Sequence, residues 1–205
     1  MSRTQELVAV ERRRFLRATL AGGAAALAGG FVLVPRLLAR GVGASTAVQT
    51  SKPAGDVLLA CFADDGHLLG PCHVRKLVLT DAQWRARLPE ASYQVMRQNG
   101  TERAFSGAHE KPPVPGLFRC LACDTALYDA ATEFDSGTGW PSFWQPIARQ
   151  NVIESTDRLF GWERTAVSCA GCDSHLGHVF DDGPRPTGLR YCMNSVALRF
   201  VARVG

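Results

Sequence analysis

The sequence predicts a mainly β domain, built from antiparallel strands and entered through a short helical prelude. Three observations lead there. From Leu117 onward, short apolar runs are broken by the turn signals Asp135-Ser136-Gly137, Asp182-Gly183-Pro184 and Thr187-Gly188. Ahead of them, Thr80-Asp81-Ala82-Gln83 has the spacing of a helix capping box. Two Cys-x-x-Cys pairs, far apart in the chain, need a fold that brings them together. Hydrophobic residues at 46% and charged residues at 20% can bury a core and exclude a disordered, collagen-like or coiled-coil chain.

The chain of 205 residues is one domain with an appendage. Its net charge of +4 is unevenly spread: residues 1–50 hold seven basic and two acidic residues, leaving sixteen basic and seventeen acidic in 51–205. A domain at −1 lacks the cationic surface that phosphate binding requires, so no nucleic-acid partner is expected. In the appendage, Arg12-Arg13-Arg14-Phe15-Leu16 precedes a weakly apolar run from Ala18 to Val34. A basic head before an apolar segment is the pattern of a secretory leader. Paired arginines followed by x-Phe-Leu resemble the twin-arginine signal, with Glu11 in place of the usual Ser or Thr. Residues 1–47 are therefore predicted to be a twin-arginine-type signal peptide or an N-terminal anchor. The expected destination is the periplasm through the twin-arginine export machinery, with membrane tethering if the leader is not cleaved. Seventeen residues containing four glycines are at the lower limit for spanning a bilayer, which favours a signal.

Residues 48–75 read as a flexible lead-in carrying Cys61 and Cys72, and residues 76–205 as the domain proper. Thr80 caps a helix with Trp84 and Leu88 on one face. Pro89 starts a second helix, with Tyr93 and Met96 inward and Asn99-Gly100 as its stop. Trp162 to Ser168 and Tyr191 to Val201 read as strands, the latter with Val196, Leu198 and Phe200 alternating onto one face.

Four of the seven cysteines form Cys120-Leu-Ala-Cys123 and Cys169-Ala-Gly-Cys172. Two residues within each pair let both thiolates of a tight turn reach one ion, and two such turns complete a closed tetrahedral site suited to structural Zn²⁺. Two disulfides or a redox pair are the alternatives, which an exported protein permits. Four thiolates leave no open position, so the metal would staple the fold rather than catalyse. The odd cysteine is Cys192. A lone strand cysteine is commonly a small buried hydrophobe. Its company, His175, His178 and Arg190, adds proton-transfer groups and a cation that favours a thiolate.

The blocks Phe134 to Phe143 (FDSGTGWPSF), His175 to Gly183 (HLGHVFDDG) and Gly188 to Ser195 (GLRYCMNS) resemble peptide methionine-R-sulfoxide reductases of the B type. Both cysteine pairs and the stretch Arg97 to Gly107 fit as well, so the resemblance covers roughly residues 76–201. It implies a fold of two antiparallel sheets and a thiol mechanism. Cys192 would attack the sulfoxide sulfur, and His178 would protonate the departing oxygen, with His175 orienting it. Asn194 and Asp182 would hold that imidazole and a water, and Arg190 would support the thiolate. Trp140, with Phe143, would form the substrate wall that selects the epimer. Cys192 would finish as a sulfenic acid.

Some members of that family carry a second, resolving cysteine in the Ser-Gly-x-Gly-Trp block, where this chain has Thr138. Cys61 and Cys72 are then the spare thiols: either one resolves Cys192, or they pair with each other. A thioredoxin-like reductant would close the cycle, and oxidised protein or peptide methionine would be the substrate. The rival reading is a zinc-stapled, non-catalytic redox or peptide-binding module.

Overall fold

The computed structural model describes residues 55–107, 114–158 and 163–203, all within the compact unit Ala47–Gly205. The leader 1–47 and Trp162 lie outside the described residues. The domain is mainly β, as its punctuated apolar runs require. A five-stranded antiparallel sheet has the order β5-β9-β8-β7-β6, from β5 (Ser142–Phe143), β6 (Val152–Asp157), β7 (Arg164–Cys169), β8 (His175–Phe180) and β9 (Arg190–Met193). A three-stranded antiparallel sheet is ordered β10-β3-β4, from β3 (Gly116–Cys120), β4 (Ala126–Asp129) and β10 (Leu198–Ala202). The predicted strand Tyr191 to Val201 is thus two strands. A helical turn at Ser195–Ala197 moves the chain from the larger sheet to the smaller. Leu198 and Phe200 still face the core, with exposed Arg199 between them.

The helical prelude forms as its local signals dictate. α1 (Asp81–Arg87) begins with a complete capping box, in which Thr80 accepts from the Gln83 backbone and the Gln83 side chain reaches back to Thr80. α2 (Glu90–Gln98) follows Pro89 and ends at Asn99, which takes the left-handed conformation at φ 55°. The Tyr93 hydroxyl donates to Asp81 and ties the helices together. Arg97 lies 4.6 Å over the Trp84 ring. α2 packs against β8 and the Ser195–Ala197 turn, where the Ser92 hydroxyl donates to the Val196 carbonyl at 2.7 Å.

Between helices and sheets lies one core that includes Trp84, Tyr93, Met96, Phe118, Leu127, Tyr128, Tyr191 and Met193. Burying each large side chain contributes roughly 1.5–3 kcal/mol. Phe143, expected to contact substrate, belongs to this core instead. It is 0% exposed, stacks on Tyr128 with centroids 4.3 Å apart and meets Phe118 edge-on at 5.0 Å. Neighbouring residues of a strand face opposite ways, so Ser142, paired with Cys192 of β9, turns its hydroxyl toward that thiol and Phe143 points into the core.

The expected flexible lead-in is corrected too. β1 (Asp56–Phe62) and β2 (Leu68–Arg75) form an antiparallel hairpin, and Cys61 and Cys72 are joined by a disulfide across it. The hairpin is fastened to the domain by Asn151, which is fully buried. Its Oδ1 accepts from the Ala60 N–H at 2.9 Å, and its Nδ2 donates to the carbonyls of Ala60 and Ala126 at 2.8 Å each. With their sulfurs paired, neither Cys61 nor Cys72 is a free resolving thiol in this structure.

Candidate active site and metal centre

The two Cys-x-x-Cys turns are built alike. In each, the first cysteine's carbonyl accepts from the residue four positions on (Asp124 or Asp173), at 2.9 Å in both turns. That aspartate sits in the left-handed region, at φ 66° and 56° respectively. The residue after it sets its hydroxyl against the second sulfur of its own turn: Thr125 hydrogen-bonds Cys123, and Ser174 accepts from the Cys172 thiol, both at 3.2 Å. Gly171 permits the approach of the two turns, because a Cβ there would lie 2.4 Å from the Thr125 hydroxyl and 3.2 Å from the Cys123 sulfur.

The four sulfurs of Cys120, Cys123, Cys169 and Cys172 lie within 4.8 Å of one another. Cross-turn separations are 3.7 Å for Cys120–Cys172 and 3.5 Å for Cys123–Cys169. A tetrahedron with metal–sulfur bonds of about 2.3 Å has edges of about 3.8 Å, so the cluster fits a Cys₄ ion without forming disulfides.

The second site lies on β8 and β9. Their register sets His178 opposite Cys192, and Cys192 pairs on its other side with Ser142 of β5. Gly177 lets β8 come close: a Cβ there would meet the Cys192 carbonyl at 2.1 Å. Tyr191 and Met193, flanking the cysteine, are buried in the core, leaving Cys192 half-buried in a cavity of about 130 Å³. Trp140, Phe180, His178, Asn194, Arg164 and Thr101 line it as well. The Trp140 indole N–H donates to the Glu102 carbonyl at 3.1 Å, which fixes the ring as a wall.

The imidazole's partner is not one the sequence suggested. His178 Nε2 is 2.8 Å from Asp157 Oδ2, which also takes Arg164 at 2.8 Å. A carboxylate only accepts, so Nε2 carries the proton and Nδ1 is the acceptor. Asp182 does not hold the imidazole; it makes a two-pronged pair with Arg190, at 2.9 and 2.8 Å. Asn194 does not hold it either. Its Nδ2 donates to the Leu176 carbonyl at 2.9 Å and its Oδ1 accepts from the Glu102 N–H at 2.9 Å, locking β8 to the 101–102 segment. Asp157 and Arg164 were missed because they reach His178 only through the β6-β7-β8 pairing.

Burial pushes the His178 pKa below its ordinary value, partly offset by Asp157. Burial, then the neighbouring His178, pushes His175 down to about 4. Its ring meets His178 edge-on at 5.2 Å, and its Nε2 is buried without a hydrogen-bond partner among the described residues. Both rings are therefore neutral near pH 7. Burial raises the Cys192 thiol, against which Arg190 and the hydroxyls of Thr138 and Ser142 favour the thiolate. Arg190 also lies 4.5 Å over the Phe180 ring, so its charge is shared among Asp182, Phe180 and Cys192.

Residues 88–202 match the SelR domain. Peptide methionine sulfoxide reductase MsrB of Pseudomonas putida (strain W619) is 52% identical over 132 residues, which is 64% of this chain and 99% of that protein. MsrB of Pseudomonas syringae pv. syringae is 52% identical over 128 residues, 62% of this chain and 98% of its own. Peptide methionine sulfoxide reductase B1, chloroplastic, of rice is 53% identical over 121 residues; these cover 59% of this chain and 56% of the rice protein's length. With more than half of its length matched and its cysteines disposed as described, the chain belongs to the SelR domain family, that of the MsrB-named peptide methionine sulfoxide reductases.

Proposed function

We propose that this protein reduces methionine-R-sulfoxide in peptides and proteins to methionine, with Cys192 as nucleophile. The observation that supports this most is the pairing of Cys192 with His178 across β8 and β9, beneath the Trp140 wall. Neutral His178 accepts the Cys192 proton at Nδ1 while Asp157 stabilises the imidazolium that forms. The thiolate attacks the sulfoxide sulfur, and the oxygen passes to the cysteine as the same proton is returned to it. One thiol and one sulfoxide become one sulfenic acid and one thioether, so oxygen, proton and electrons balance. Trp140 and Phe180 face the S-methyl group, where an aromatic surface favours sulfur.

The Cys₄ cluster would hold structural Zn²⁺ with four protein ligands, supplying fold stability. A thioredoxin-like dithiol would reduce the sulfenic acid directly, consistent with Cys61 and Cys72 being paired to each other. That disulfide also suits an oxidising compartment, as the twin-arginine pattern of Arg12 and Arg13 implies. Arg12→Lys with Arg13→Lys should hold the chain in the cytoplasm; unchanged periplasmic delivery would refute that route.

The reaction is tested by incubating the protein with dithiothreitol and each epimer of a methionine sulfoxide peptide. Turnover of the R epimer, lost in Cys192→Ser, is expected. Turnover of the S epimer alone, or activity that survives Cys192→Ser, would overturn the reading.

A further inference from the structure

A second cavity, of about 530 Å³, opens beside the catalytic one, and Trp140 lines both. One short segment borders the pair: Thr101 faces the catalytic cavity, while Glu102 and Phe105 line its neighbour. Phe105 is 77% exposed, yet it is held firmly. Its φ of 60° lies in the left-handed region that bulky residues rarely adopt. Its N–H donates to the Gly139 carbonyl at 2.9 Å. The ring lies on Gly139 so closely that a Cβ there would come within 2.6 Å of it. An aromatic fixed outward in a costly conformation presents a surface for something else.

The charge of this cavity is one-sided. Asp135 is exposed and accepts from the Gly137 N–H at 2.8 Å, a neutral donor that leaves its charge in place. Glu102 accepts from the Val196 N–H at 3.2 Å and the Ser195 hydroxyl at 2.8 Å, again neutral donors. Among the described residues, no Lys or Arg lines the cavity. An acidic, aromatic recess continuous with a peptide-processing site suits a long cationic side chain. Its stem would lie on the ring and its cation would face the ring and the carboxylates.

We propose that this cavity is a subsite for a lysine or arginine close in sequence to the oxidised methionine, an inference that rests on the reductase reading above. Phe105 receives the aliphatic stem, and Asp135 and Glu102 supply the opposing charge. The test uses pentapeptides with a central methionine-R-sulfoxide flanked on either side by Lys, Ala or Glu, beside N-acetyl-methionine-R-sulfoxide. The wild type should prefer a Lys peptide to its Glu counterpart by about five-fold in kcat/KM, carried by KM and shrinking in high salt. Asp135→Asn keeps the acceptor for Gly137 but removes the charge, and Phe105→Ala removes the ring. Each should cut the preference below about two-fold. Equal rates for all wild-type peptide reactions would overturn the subsite, as would a preference that persists in both variants. If neither the peptides nor the small sulfoxide is reduced, the reductase reading fails and the subsite falls with it.

Discussion

The Cys₄ cluster and the Cys192 cavity are both sulfur sites hung on the same sheets, and the surroundings of each sulfur suit it to different chemistry. Around Cys120, Cys123, Cys169 and Cys172 the nearest polar groups are other sulfurs and the hydroxyls of Thr125 and Ser174. That arrangement suits an ion and, among the described residues, sets no imidazole against a sulfur. Around Cys192 stand a neutral imidazole across the strand pair, an arginine and two hydroxyls, with an aromatic wall above. Here a proton can move. The lesson is that cysteine count alone assigns nothing; the strand partner and the turn geometry do.

The contrast is broken most directly by exchanging serine for cysteine at each site. Cys120→Ser should lose the metal and lower the melting temperature by more than about 10 °C, since a structural metal supplies folding free energy. Cys192→Ser should abolish turnover and leave melting nearly unchanged. If Cys120→Ser melted like the wild type, a structural role for the cluster would be wrong.

Asp157→Asn sharpens the catalytic half. Removing the charge opposite His178 should lower kcat about ten- to a hundred-fold with little change in KM. The pH–rate profile would shift as well, because the imidazolium loses its stabilising partner. An unaltered profile would assign Asp157 to Arg164 alone.

Separating the paired cysteines is a smaller perturbation. Cys61→Ser with Cys72→Ser opens a loop of sequence separation 11, worth at most about 3 kcal/mol by chain entropy. Activity with dithiothreitol should persist. Loss of thioredoxin-driven turnover in that variant would return these two residues to the catalytic cycle.

The last effect is absent at neutral pH and appears only on acidification. His175 is pushed down to about 4 in the folded protein, from 6.5 when unperturbed. As pH falls below 6.5 the unfolded chain takes up a proton that the folded one refuses. Stability should therefore decline between those values and level off near pH 4. His175→Asn should flatten that slope in melting curves.

The helices were legible because their signals are local: a capping box at Thr80 and a left-handed stop at Asn99 need only adjacent residues. The cysteine pairs and Cys192 with His178 were legible because each is a short block. The hairpin was not. Its apolar run from Val57 and the turn residues Asp64-Asp65-Gly66 are strand signals, but Gly70 and Pro71 weaken the second strand, and Asn151 anchors it from afar. Asp157 lies 21 residues from His178 and joins it only through sheet pairing, which no local pattern announces. Phe143 was misplaced because a sequence block does not say which face of a strand each residue takes.

The twin turns have a topological consequence. Cys120 to Cys172, clasped on one ion, would make a ring of chain that contains Trp140, Ser142, Asp157 and Arg164. His178 and Cys192 lie on the tail leaving that ring. Trp140 and Asp157 would thus be threaded on the loop while Cys192 and His178 hang from its clasp, and a single closure would keep the two sets in reach of each other.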